Sequence, residues 1–142
     1  MRKFKIGYTS GVYDMFHIGH LNILRNAKNL CETLVVGVST NELVECYKGK
    51  VPVISYHDRV AIVSAIKYVD KVVPQIDMDK LKSAKAVSAD VVFVGDDWKG
   101  TEKWNKIEEN LRQYGISVVY LPHTEGVSST ILADIKGERV EG

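Results

Sequence analysis

The chain has 142 residues, 45% hydrophobic and 26% charged, with a formal net charge of +1 at pH 7. That size supports one domain, residues 1–142, with a core of its own, and the near-neutral balance gives no broad basic field, which argues against nucleic acid as a partner. No run approaches the roughly 20 apolar residues of a membrane span, the start lacks the apolar stretch of a secretory signal, and Cys31 and Cys46 lack metal-ligand spacing and read as free thiols of a reducing cytoplasm.

Residues 4–9 predict a first strand, and the apolar spacing Leu21, Leu24, Ala27, Leu30 predicts a helix over 18–30. Between them stands a polar turn holding Thr9, Ser10, Gly11, Asp14, His17, Gly19 and His20. Open α/β sheets place ligands at such turns, on the carboxyl ends of strands. His17 and His20 are three apart and share a face of the first helical turn, where backbone N–H groups and the positive end of the helix dipole point the same way. Two imidazoles on a helix N-terminus make an anion site, and the natural anion is a nucleotide phosphate. Gly19, without a Cβ, leaves room for that phosphate against the backbone.

A β-branched run at 34–39 predicts a buried parallel strand. Thr40 then caps a short helix or turn, and a polar loop at 46–52 carries Lys48 and Lys50 on either side of Gly49. Ser55 with Asp58 opens a helix over 56–67, with Val60, Ile62, Val63 and Ile66 as its apolar face. Further strands are predicted at 71–74, 89–94 and 116–121, and helices at 79–86, 102–114 and 131–136, with a frayed tail from 137. The alternation predicts an α/β fold: a Rossmann-like, doubly wound, mostly parallel five-stranded sheet with helices on both faces. The polar clusters 9–20, 95–98 and 123–130 each follow a strand, so such a sheet gathers them on one edge and predicts an active site there.

The segment 11–20 with its His17-Ile18-Gly19-His20 core, the Lys48/Lys50 loop, and the segments 56–59, 66–70, 95–98 and 124–130 resemble the cytidylyltransferase family of the HxGH nucleotidyltransferases, over almost the whole chain. The resemblance implies CTP across the HxGH turn, a phosphorylated alcohol as second substrate, a divalent cation, usually magnesium (Mg2+), and a homodimer. Within it, His17 and His20 are expected to hydrogen-bond and stabilise charge at the α- and β-phosphates, while Lys48 and Lys50 close over the triphosphate and the acceptor phosphate. Nucleotide contacts are expected from Thr9, Ser10, Gly11, Val12, Asp14, Gly19, Lys67, Asp96, Asp97, Trp98, His123, Thr124, Gly126, Val127, Ser128, Ser129 and Thr130. Acceptor contacts are expected from Tyr13, Asp14, Lys48 and Arg59, and no metal ligand is assigned, although Asp14, Asp96 and Asp97 are the carboxylates at hand.

Two positions depart from the family pattern. His123 stands where the family motif has arginine, exchanging a permanent fork-shaped cation for a side chain that titrates near neutral pH. The opening turn is similar to that of the eukaryotic choline- and ethanolamine-phosphate enzymes. The overall likeness favours glycerol 3-phosphate as acceptor. The alternatives are ethanolamine phosphate, choline phosphate or another polyol phosphate, an ATP-dependent adenylyl transfer, and a nucleotide-binding regulator without chemistry.

Overall fold

The computed structural model describes residues 3–124. The contacts expected from Gly126, Val127, Ser128, Ser129 and Thr130 and the helix expected at 131–136 lie outside the described residues. Five strands, β1 (Phe4–Gly11), β2 (Cys31–Ser39), β3 (Lys71–Gln75), β4 (Val91–Gly95) and β5 (Ser117–Leu121), form one sheet in the order β3-β2-β1-β4-β5, and every pairing is parallel. Five helices connect them: α1 (Ile18–Leu30), α2 (Asn41–Lys48), α3 (Tyr56–Ser64), α4 (Lys80–Ala86) and α5 (Glu102–Arg112). Among the described residues, no helix is long and apolar enough to cross a membrane.

The sheet is covered on both faces, as parallel sheets require. Leu24 and Ala27 of α1 and Val63 of α3 pack on one face, with Leu34, Val36, Val38, Val91 and Phe93. Ala84 of α4 and Leu111 of α5 pack on the other, with Tyr8, Val35 and Val92. Cys31 is buried in the first layer, its thiol donating to the Ala27 carbonyl at 3.4 Å, and Cys46 is exposed.

Several boundaries differ from expectation, and three of them have a plain local reason. β2 starts at Cys31, because the polar Glu32 and Thr33 are held by pairing with β1, Phe4 opposite Cys31 and Ile6 opposite Thr33. α2 runs on to Lys48, beyond the expected loop start, and stops where Gly49 turns left-handed with φ 72°. α3 ends at Ser64, and the chain turns so that the Asp70 carboxylate accepts from the Leu34 N–H at 2.7 Å and pairs with Lys28 at 2.6 Å.

The strand order reverses at β1: β2 and β3 lie to one side, β4 and β5 to the other. That reversal opens a crevice at the carboxyl ends of β1 and β4, the place where such sheets bind ligands. The Thr9 hydroxyl donates to the Phe93 carbonyl at 3.1 Å, tying the two strand ends together at that point.

Candidate active site

The HxGH turn is held by its own histidines. His17 is the N-cap of α1, and its Nδ1 accepts from the Gly19 N–H at 3.0 Å. The His20 Nδ1 reaches back to accept from the His17 N–H at 3.1 Å. This is a reciprocal capping box built from two imidazoles. Because each Nδ1 is an acceptor, each neutral ring carries its proton on Nε2, leaving one N–H donor per ring. The rings stack at 3.9 Å. Gly19 is required by this packing: a Cβ there would stand 2.9 Å from His17 Cε1. The space beside Gly19 expected to admit a phosphate is thus taken by the His17 ring. Gly19→Ala should push that ring off its cap and lower stability by about 1 kcal/mol, read as a lower melting temperature.

Burial sets the charge of the pair. His17 is shifted below its ordinary value by desolvation. His20 is pushed down to about 4, first by desolvation and then by His17, with the Tyr13 and Phe16 rings at 5.4 and 5.2 Å walling it in. Both imidazoles are therefore neutral donors at pH 7. In the unfolded chain a histidine takes up its proton near pH 6.5, so the unfolded state binds more protons below that pH. The contribution of His20 to stability is complete above pH 6.5 and is lost as the pH falls from there to about 4. Urea unfolding at pH 7 and pH 4.5 should show wild type losing more stability than His20→Gln, by up to about 3 kcal/mol.

Two cavities meet at this turn. One, of about 340 Å³, lies over the ends of β1 and β4. Thr9, Ser10, Gly11, His17 and Gly19 line it on one side, and Gly95, Asp97, Trp98, His123 and Thr124 on the other. The second, of about 320 Å³, is bounded by Asp14, Lys48 and Lys50 and by an apolar wall of Met15, Val44, Val51, Pro52 and Val53. Val12, Tyr13 and His20 line both. Tyr13 and Met15 hold left-handed backbone, φ 56° and 49°, a conformation costly for side chains of this size and retained where a turn is fixed by its surroundings. Thr124 is anchored by a 2.8 Å hydrogen bond from Asn22 of α1.

The expected residues divide into three groups. Most line one of the two cavities, as above. Asp14 lines the second cavity but acts as a clasp, accepting from the N–H groups of Val53 at 2.8 Å and Ile54 at 2.9 Å, so it fixes the loop that follows the two lysines. Asp96 stands between the lining residues Gly95 and Asp97 and is bonded to His123 at 2.8 Å.

Arg59 and Lys67 lie elsewhere. Arg59 has no exposed surface, and its guanidinium donates to the carbonyls of Ile54, Val12 and Ser39 and to Asn41 Oδ1, at 2.6 to 3.0 Å. It braces the site turn from inside and lines neither cavity, which replaces the expected contact with the acceptor. Lys67 is exposed, on the turn that leads into the start of β3, its ammonium 5.3 Å from the centre of the Tyr68 ring. It precedes the amino end of β3 and lines neither cavity.

One cation was not anticipated. Lys80, first residue of α4, donates to the Ser10 hydroxyl at 2.9 Å. Its ammonium is pushed down to about 8, mainly by burial and then by Lys103. The signal was available, since Lys80 follows β3 as the other polar clusters follow their strands.

The site has likenesses among known proteins. A family model described as cytidylyltransferase-like matches residues 8–135. The chain is 38% identical over 123 residues to the glycerol-3-phosphate cytidylyltransferase of Bacillus subtilis, covering 86% of this chain and 89% of that one. It is 36% identical over 121 residues to a FAD synthase of Thermococcus kodakarensis, covering 80% and 76% respectively. Among solved structures, a lipopolysaccharide core biosynthesis protein from Thermoplasma volcanium superposes with a TM-score of 0.70 at 27% identity, over 85% of this chain and 97% of that one.

Proposed function

Because the chain belongs to the cytidylyltransferase-like family and is a nucleotidyltransferase, we propose that it transfers CMP from CTP to a small phosphorylated alcohol, with glycerol 3-phosphate as the first candidate, and releases pyrophosphate. The observation that carries this reading is the position of His20 in the wall shared by the two cavities. One cavity has the helix N-terminus and hydroxyls suited to a triphosphate; the other has two lysines suited to a phosphate monoester.

In this reading an oxygen of the acceptor phosphate attacks the α-phosphorus of CTP from the lysine side. The bond from the α-phosphorus to the bridging oxygen breaks, and pyrophosphate leaves with the electron pair. The attacking phosphate is already ionised, so no general base is required. The protein positions the reactants in line and stabilises charge as it spreads over the equatorial oxygens. The Nε2–H groups of His17 and His20 are preorganised donors for those oxygens, since their rings are fixed by the cap before substrate arrives. Lys48 and Lys50, exposed on either side of the Gly49 hinge, neutralise the acceptor phosphate. A divalent cation, when bound, neutralises the departing pyrophosphate.

Pyrophosphate release measured with CTP and with ATP, against glycerol 3-phosphate, ethanolamine phosphate and choline phosphate, tests the reading. CTP with one of these acceptors should give turnover, and none with any acceptor would refute it. Lys48→Ala should raise KM for the acceptor about tenfold or more while leaving KM for CTP near wild type. A second reading has one observation in its favour. The apolar wall of the acceptor cavity suits a flat apolar body better than a polyol, and one relative is named FAD synthase. ATP-dependent turnover of flavin mononucleotide in the same screen would select it.

A further inference from the structure

The cavity over β1 and β4 is short of positive charge. Among the described residues that line it there is no lysine or arginine, and Asp97 adds a carboxylate. His17 and His20 are neutral at pH 7, and His123 stands against two carboxylates, 2.8 Å from Asp96 Oδ1 and 3.3 Å from Asp97 Oδ1. A helix N-terminus supplies only about half a positive charge. Neutral donors orient a polyanion but leave most of its charge unbalanced.

A lysine reaches that wall from behind. Lys80 opens α4, on the second face of the sheet, and its Nζ donates to the hydroxyl of Ser10, a lining residue, at 2.9 Å. An ammonium has three donors. Ser10 takes one, and among the described residues no carboxylate forms an ion pair with Lys80. The side chain is largely buried, and Lys103 of α5 pushes against its charge. Asp77, the carboxylate that offsets this, is itself paired with Lys82 at 3.0 Å. Lys103 stands 5.9 Å from the centre of the ring of Trp98, another lining residue. Two ammonium groups thus border one anion cavity. A buried cation without a counter-charge is unfavourable, and an anion in that cavity reverses the sign.

We propose that Lys80 is a nucleotide-binding residue, whose ammonium, held ready on Ser10, turns to a non-bridging oxygen of the phosphate chain and supplies the positive charge that the histidines lack. The flexible four-carbon stem lets Nζ move while α4 stays in place. Lys48 and Lys50 line the other cavity, so each substrate has its own cations. The inference rests on the proposed nucleotide binding.

The test is calorimetric titration of the full chain with CTP and with ATP at pH 8, in two buffers of different ionisation enthalpy. Burial and Lys103 push the free ammonium down to about 8. A phosphate partner raises it again, so wild type should take up roughly half a proton per nucleotide. Lys80→Met keeps the stem and removes the charge. It should weaken nucleotide binding about 10- to 100-fold and abolish the proton uptake, with the melting temperature at or above wild type, because a buried unpaired charge is gone. Lys80→Arg should bind better than Lys80→Met and take up no proton, since a guanidinium does not titrate there. Affinity in Lys80→Met within twofold of wild type, or proton uptake that survives in it, would overturn the proposal. If ATP bound in place of CTP and Lys80→Met weakened it, the choice of CTP would fall and the role of Lys80 would stand. If neither nucleotide bound wild type, both would fall.

Discussion

His17→Ser should keep the melting temperature close to wild type while turnover falls on the order of 10²- to 10³-fold. His17→Ala should lose both, with about 1 kcal/mol of stability gone. The two variants separate two tasks that one imidazole performs. Its Nδ1 caps α1 by accepting from the Gly19 N–H, and a serine hydroxyl can take over that bond. Its Nε2–H is aimed at phosphate, and serine has no donor at that reach. His20→Ala should fall in the same range of rate loss or worse, because His20 is common to both cavities and also holds the His17 N–H. Near wild-type turnover in His17→Ser or His20→Ala would reduce the pair to a helix cap.

The largest effect on stability should come from Arg59. Replacing it with methionine keeps much of the volume but strips donors from three carbonyls and from the Asn41 side chain. Removing one partner from a buried charged network commonly costs about 3–5 kcal/mol, and urea unfolding would measure it. Two of the stranded carbonyls, Val12 and Ile54, belong to the site turn and to the loop that Asp14 clasps, so activity should fall with stability. Arg59→Lys should recover little, because an ammonium cannot span the positions that a planar fork reaches. If Arg59→Lys instead melted like wild type and only raised KM for the acceptor, the guanidinium would be contacting substrate.

Much of this arrangement could be read from the chain because the pattern that builds it is local. The spacing Leu21, Leu24, Ala27, Leu30 placed α1 at its observed bounds, with two of those positions fully buried. The β-branched run at 34–39 marked β2 as a buried parallel strand, and the polar clusters after β1 and β4 do meet in one crevice. What was not legible depended on direction or on burial. For Lys67, charge near a motif carries no information about which edge of the sheet it reaches. Arg59 was taken for a free cation because nothing local says that an arginine will be enclosed by four acceptors. The histidines are expected at the phosphates from their place on the turn, but their reciprocal bonds to backbone N–H groups, which with burial keep them neutral, appear only in three dimensions.

The claim on which the chemistry depends is that both imidazoles hold the backbone through Nδ1 and present Nε2–H to a nucleotide. Long-range ¹⁵N–¹H spectra of histidine-labelled protein at pH 7, recorded with and without CTP, address it directly. Both rings should be neutral and protonated at Nε2 in the free protein, and both Nε2 resonances should move when CTP is added. A proton on Nδ1 in either ring, or Nε2 signals indifferent to saturating CTP, would contradict it.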